Sequence, residues 1–377
     1  MLDKNLSTVD MKNDTKRIVA VNGTALSKSG ALTILKQFIK HAAKDDKYQY
    51  LCFIPENLEL ECSENITLIE IPKMSWVGRI LWDAFKFKKY LNTQSINPYK
   101  VISLQNTSIN VNVDQIIYLH QPLPFSSIKW SVYKKEQFKL FLYKHFYSFF
   151  IFLFVNKNTN FVVQTNWMKE ALCAISLIDE SKVHVIKPDI NLPTVTLNNM
   201  ENKNKSEYIL LYPATPIFYK NHLIILEALK LLKEKGQVDN VKLQVTFEED
   251  DYILFSKQVK KFDLSNNVEF LGTRPYEEMT NIYQRADIIL FPSYVETFGL
   301  PLVEGASLGK PVLCSDLPFS RDVLAGYSGA TFLNYQDPIE WANMINDTLL
   351  KVQNGCFEYG VFESTQTTTW KDFFELV

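Results

Sequence analysis

Residues 287–316, DIILFPSYVETFGLPLVEGASLGKPVLCSD, constrain this chain more than any other stretch. Asp287-Ile-Ile-Leu-Phe-Pro292 is short and apolar, the pattern of a strand buried on both faces of a parallel sheet. A loop carrying Glu296 and Gly299 follows. A helix is predicted to begin near Pro301, because proline fits a first helical turn. Gly309-Lys310-Pro311 stops it, and Val312-Leu-Cys-Ser315 reads as the next buried strand. This is one βαβ unit with two carboxylates. Glu296 lies on the loop at the strand's carboxyl end and Glu304 in the first helical turn. Open α/β sheets bind ligands at that edge.

The chemistry of the edge suits a sugar nucleotide. Backbone N–H groups around Phe298, Gly299 and Leu300, with the helix start, form a concave donor surface for phosphate or sugar oxygens. Gly299 lets the backbone approach a ligand closely. A carboxylate accepts two hydrogen bonds side by side and so matches a vicinal diol such as a ribose 2′,3′ pair. Glu304 is therefore the candidate for ribose and Glu296 for the transferred sugar. With its Glu296-TFGLPLV-Glu304 spacing, the Phe-Pro-Ser before it and the Gly-Lys-Pro-Val after it, the stretch resembles the retaining GT-B glycosyltransferases of family 4. The competing reading is two solvated surface glutamates.

At 377 residues the chain exceeds one ordinary core, and two domains of about 180 residues each are expected. Hydrophobic residues at 46% and charged residues at 22% exclude a disordered chain. A net charge of −2 gives no general pull toward nucleic acid, and no such partner is expected. The five cysteines show no CxxC pair and no metal-like spacing; Cys52 and Cys314 fall in apparent core strands as small hydrophobes. A reducing cytoplasm is the expected compartment. Residues 1–16 read as a polar tail without an apolar signal core. A first domain follows over 17–196, an Asn- and Lys-rich linker over 197–206, a second domain over 207–360, and a terminal segment over 361–377.

In the first half, Ile18–Asn22 is a strand, and the loop to Gly30 leads into a helix from about Ala31 to Ala43. A glycine loop before a helix start is a plausible anion or sugar site, although no full GxGxxG is present. Gln115–Leu119 delivers His120 to a strand's carboxyl end ahead of a proline-rich loop, where such sheets present functional groups. The resemblance implies a glycine near the donor phosphate, matched by Gly30, and a histidine close to the donor sugar, matched by His120. His41, His145 and His184 read as structural. Two segments mix basic and aromatic residues. One runs from Trp76 to Lys89, with Trp82, Phe85 and Lys89 at helical spacing. The other runs from Lys134 to Lys157, and its apolar part, Phe146–Val155, is too short to span a bilayer. Each is either a core helix with snorkelling lysines or a face lying on anionic lipid.

In the second half, strict βαβα order implies a parallel sheet with helices on both faces. Tyr212-Pro-Ala-Thr-Pro-Ile-Phe-Tyr-Lys-Asn-His222 joins its first strand to its first helix, so Lys220 stands where a helix start and an ammonium can meet a diphosphate together. The run resembles the YP…KNH subgroup of family 4, whose lysine contacts the donor's phosphates. Other members carry an arginine where this chain has Thr215, which leaves Lys220 as the main cation. The acidic run Glu248–Asp251 lacks the DxD pattern of metal-dependent transferases and reads as a helix-start charge cluster.

The resemblance implies a GT-B fold, two Rossmann-like doubly wound parallel-sheet domains facing across a cleft. It implies a retaining transferase that uses a nucleotide-sugar donor and a saccharide or lipid-linked acceptor, needs no cofactor or metal, and works on bacterial surface polysaccharide; the aromatic, basic first domain suggests work at the cytoplasmic face of the membrane. His120 and Glu296 are its catalytic candidates. Gly30, Lys220, Phe298, Gly299, Leu300 and Glu304 are its substrate-binding candidates. Two other classes compete, a GT-B sugar-nucleotide epimerase or phosphorylase and a non-catalytic two-lobed binding protein.

Overall fold

The computed structural model describes residues 16–190, 205–355, 360, 362 and 368–377. Residues 1–15, most of the 197–206 segment and Cys356 lie outside that description. The chain divides into two compact units. One draws on Met1–Ser126, Lys139–Asp189 and Thr368–Val377, the other on Ser127–Phe138 and Ile190–Thr367.

The first unit is built on seven strands: β1 (Arg17–Asn22), β2 (Tyr48–Pro55), β3 (Ile66–Ile71), β4 (Lys100–Ser103), β5 (Gln115–Leu119), β6 (Asn160–Val163) and β7 (Val183–Val185). Their order is β3-β2-β1-β4-β5-β6-β7, and every pairing is parallel. Helices cover both faces, which is why strands such as Gln115–Leu119 are buried along their whole length. The terminal helix Trp370–Glu375 belongs to this unit. Trp370 and Phe373 are fully buried beside Phe38 and Tyr118, and the Trp370 indole N–H donates to Gln37 at 3.0 Å. His41 is structural: it stacks on Trp370 and pairs with Asp189 at 2.7 Å.

The second unit has six strands: β8 (Tyr208–Tyr212), β9 (Val241–Val245), β10 (Val268–Phe270), β11 (Ile288–Phe291), β12 (Val312–Ser315) and β13 (Ala330–Leu333). They run β10-β9-β8-β11-β12-β13, again all parallel. Residues 127–138, which the sequence grouped with the first half, join this unit. Trp130 packs its ring 5.9 Å from Tyr294 and 6.5 Å from Phe218. In both sheets the first strand sits beside the fourth, so consecutive crossovers leave in opposite directions between β1 and β4 and between β8 and β11. Loops diverge at the carboxyl ends there and leave room for a ligand.

One sequence expectation needs correction. Trp82, Phe85 and Lys89 do not share a face, because the helix Trp76–Leu81 continues as one π turn over Trp82–Lys86 before the helix Phe87–Thr93. The wider turn faces Trp82 and Asp83 inward while Phe85 stays 65% exposed. The acidic run behaves as expected. Glu248 and Asp251 form a capping box at a helix start, and Glu249 pairs with Lys260 at 2.8 Å. Cys52 and Cys314 are buried strand residues.

Candidate functional site

Leaving β8, the chain makes a single 3₁₀ turn over Phe218–Lys220 and then turns at Asn221, whose φ of 60° starts the helix His222–Glu234. Asn221 suits this position because its short amide tolerates the left-handed region and bonds locally. Its amide donates to the carbonyls of Tyr335 at 2.8 Å and Pro292 at 3.3 Å, tying the loop to the end of β11. The backbone N–H of Tyr294 donates to the Tyr219 carbonyl at 3.0 Å. His222 is buried, donates through Nε2 to the Ala214 carbonyl at 3.2 Å and lies 4.4 Å from the Tyr212 ring. Burial pushes its pKa down to about 3, so it is a neutral brace inside the loop.

These ties bring Lys220 and Glu296 together. The ammonium forms an ion pair with Oε1 of Glu296, and the same oxygen accepts from Ser293 Oγ at 2.8 Å. The two side chains are only 16% and 14% exposed, so the pair is shielded more than a surface salt bridge is. Lys220 Nζ also lies 5.8 Å from the centroid of the Phe291 ring.

Gly299 lies against that same ring. Its φ is 78°, and an added methyl would meet Leu302 Cδ1 at 3.1 Å and Phe291 Cε1 at 3.3 Å. Glycine is required there by backbone and by space. Gly299 caps the helix Leu300–Ser307, and among the described residues the N–H groups of Phe298, Gly299 and Leu300 donate to no protein acceptor. The helix comes close to the sheet because Gly305 rests on Ile289, where a methyl would meet Cγ1 at 2.7 Å. Glu304, one turn in, is buried and accepts at Oε2 from the Tyr283 hydroxyl. Burial raises its pKa, and the Tyr283 bond works against that rise. Glu304 is therefore held by Tyr283.

In the first unit His120 follows β5 directly. Its backbone N–H donates to Asn106 Oδ1 at 2.6 Å, and its ring Nε2 lies 2.9 Å from the Leu104 carbonyl. A carbonyl only accepts, so Nε2 carries the proton and Nδ1 presents a lone pair. Burial pushes the pKa down to about 4, and the ring is neutral near pH 7. Gly30 occupies the second position of the helix Ser29–Ala42, exposed, with nothing within 4 Å of where a methyl would stand. Packing within the chain does not require glycine there.

Sequence reasoning missed a polar cluster at the β1/β4 edge. Asp83 is buried and accepts from Asn22 at 2.8 Å, Gln105 at 2.9 Å and Thr107 at 2.7 Å. Gln105 Oε1 accepts in turn from Thr24 and from the Ala25 N–H, both at 3.0 Å. Burial pushes the Asp83 carboxyl up to about 7 despite these bonds and the nearby Arg79 charge. The one available signal was an aspartate inside an apolar helical run.

Residues 196–353 match the family described as Glycosyl transferases group 1. The O-antigen chain mannosyltransferase RfbU of Salmonella typhimurium strain LT2 is 24% identical over 249 residues, 66% of this chain and 64% of that protein. The match thus spans less than two thirds of that relative's length. WaaG, a glycosyltransferase involved in lipopolysaccharide biosynthesis, superposes with a TM-score of 0.67 at 16% identity, covering 89% of this chain and 92% of its own. Anabaena Alr3699/HepE, solved in complex with UDP, gives 0.59 at 14% identity, covering 89% and 91%. At such identities the structures speak for the fold alone: the chain has the GT-B fold, and residues 196–353 match the group 1 glycosyl transferase family.

Proposed function

We propose that this chain is a retaining, metal-independent glycosyltransferase that moves a sugar from a nucleotide-activated donor to a saccharide or lipid-linked acceptor during bacterial surface polysaccharide synthesis. The observation that carries this reading is the shielded Lys220–Glu296–Ser293 constellation at the β8/β11 edge, inside the group 1 segment. The names of RfbU and WaaG support the polysaccharide setting, and HepE with UDP makes a UDP-sugar the first donor to test.

In this reading the leaving diphosphate meets the remaining hydrogens of Lys220 Nζ and the N–H groups of Phe298, Gly299 and Leu300, which stabilise the charge as it develops. Glu304 accepts from the ribose hydroxyls. The Oε2 atom of Glu296 accepts from a hydroxyl of the transferred sugar. In the first unit, His120 offers Nδ1 as an acceptor for a substrate hydroxyl, and Gly30 leaves the start of the helix Ser29–Ala42 open to a substrate oxygen. The acceptor hydroxyl attacks the anomeric carbon from the face the diphosphate leaves. The C–O bond to the diphosphate breaks, and the hydroxyl proton passes to a diphosphate oxygen. The products are a glycoside of unchanged anomeric configuration and a nucleoside diphosphate.

Calorimetric titration with UDP and other nucleoside diphosphates tests the donor site. Wild type should bind at least one of them, and both K220A and E304Q should bind it at least about tenfold more weakly. Failure of the wild type to bind any, or unchanged affinity in both variants, overturns the assignment. An inverted anomeric centre in the product, read by NMR, overturns retention alone.

A further inference from the structure

We propose that Asp83 is a positioning residue for His120, a role that rests on reading His120 as a residue that meets the substrate. Asp83 anchors the segment 104–107, and that segment sets the place of the imidazole and which of its nitrogens carries the proton.

The segment follows β4, and its four residues divide between two partners. Leu104 and Asn106 hold His120: the Leu104 carbonyl accepts from Nε2 at 2.9 Å, and Asn106 Oδ1 accepts from the backbone N–H at 2.6 Å. Gln105 and Thr107 hold Asp83, donating to Oδ1 at 2.9 Å and to Oδ2 at 2.7 Å. Asn106 stands between them at φ 74°, in the left-handed region. A non-glycine residue stays there only where its neighbours over-determine the backbone. The side-chain bonds that flank Asn106, from Gln105 and from Thr107, both end on Asp83. The carboxyl is itself fixed: Asn22 of β1 donates to Oδ1 at 2.8 Å, and the Asp83 carbonyl accepts from the Asn110 N–H at 3.0 Å. Without this anchor Nε2 loses its fixed acceptor, and the neutral ring can move its proton to Nδ1. Nδ1 then no longer accepts from a substrate hydroxyl.

For stability alone a carboxylate is a poor occupant of this inward position. It is 6% exposed, and burial pushes its pKa up to about 7 against the pull of its three donors and of Arg79. What it offers, and an apolar side chain does not, is an acceptor on each oxygen. That grip depends on ionisation. Above about pH 7 Thr107 donates to a charged oxygen. Below it Oδ2 takes the proton, because a hydroxyl can turn to accept and the amide donors of Asn22 and Gln105 cannot. The bond to Thr107 then reverses, and charge no longer strengthens it. Facing Asp83 are Arg79 on the preceding helix and Tyr147 on the helix Lys135–Phe152. Arginine stays cationic in this range, and burial holds the Tyr147 hydroxyl protonated, so neither titrates alongside Asp83.

Histidine-selective ¹⁵N labelling, with H120A to identify the signal, reads the ring without any substrate. Wild type should show the Nε2–H tautomer alone. D83L strips the anchor, and T107V keeps the shape of threonine while removing one donor; both should show an added Nδ1–H population. T107V carries the test if circular dichroism melts show that D83L does not fold. Turnover of T107V should fall about three- to tenfold, with UDP affinity within about twofold of wild type. Wild-type turnover should rise about two- to fivefold as pH passes 7, D83N should lack that rise, and T107V should move its midpoint upward. A His120 ring that keeps one tautomer in T107V and in folded D83L overturns the anchoring, whether or not any donor is turned over. A wild-type profile that is flat between about pH 6 and 8, or a rise that D83N reproduces, overturns the positioning role. Absence of turnover with every donor counts against the transferase reading, and the ring spectrum still decides the anchoring.

Discussion

Replacing Glu296 by Gln should tighten nucleoside diphosphate binding while slowing transfer. In the free protein the Lys220 ammonium is already engaged by the Glu296 carboxylate, and Ser293 holds that carboxylate in place. A phosphate oxygen accepting from Nζ would lie about 5 Å from the carboxylate, two hydrogen-bond lengths bent at the nitrogen. At an effective dielectric near 20, unit charges that far apart repel by roughly 3 kcal/mol, and screening in a partly open site lowers this to about 1–2 kcal/mol. Gln removes the charge and keeps an amide oxygen for the Ser293 hydroxyl. Calorimetry should therefore show UDP binding E296Q about 5- to 30-fold more tightly than wild type. The gain should vanish in K220M/E296Q, because it acts through the ammonium. Transfer from a UDP-sugar should fall, since the sugar hydroxyl loses a charged acceptor. Equal or weaker UDP affinity in E296Q would refute the electrostatic argument. A gain that survives removal of Lys220 would show that the ammonium is not its route.

Three further outcomes follow from the geometry. The Asp83 carboxyl is pushed up to about 7, above an ordinary 3.8, so the folded protein keeps a proton that the unfolded chain releases. Stability should therefore fall as pH rises from about 4 to 7, by up to about 4 kcal/mol from this group. D83N should remove that share, and urea midpoints at pH 5 and pH 8 with identical spacing in both proteins would contradict it. His120, pushed down to about 4, should show ¹⁵N shifts of a neutral Nε2–H ring at pH 6, and H120A should lower turnover more than UDP affinity; an imidazolium at pH 6 would contradict the assigned tautomer. G299A should cost about 1–3 kcal/mol, since alanine at φ 78° is strained and its methyl crowds Leu302, and an unchanged melting temperature would contradict this.

What the sequence disclosed and what it hid divide along a physical line. The apolar run at β11, the glycine at the helix start and the order of alternating elements are local patterns, and the fold was legible from them. So was the placing of Lys220 and Glu296 on loops at strand ends, but Glu304, expected in the first helical turn, sits beyond it because the helix already begins at Leu300. Their partners were not. Lys220 and Glu296 stand 76 positions apart and meet only because β8 pairs with β11, an adjacency that no local pattern encodes. Tyr283 reaches Glu304 from a different helix. Asp83 turns inward because a single π turn shifts the register of its helix, and composition carries no trace of that shift. The polar clusters nevertheless occupy equivalent places in the two units. Asn22, Asp83 and Gln105 gather where β1 meets β4, as Lys220, Ser293 and Glu296 gather where β8 meets β11. The two sets share no sequence pattern, so the common cause is topological. Where strand order reverses, neighbouring crossovers depart in opposite directions, and side chains that would elsewhere be buried against a helix are left to satisfy one another.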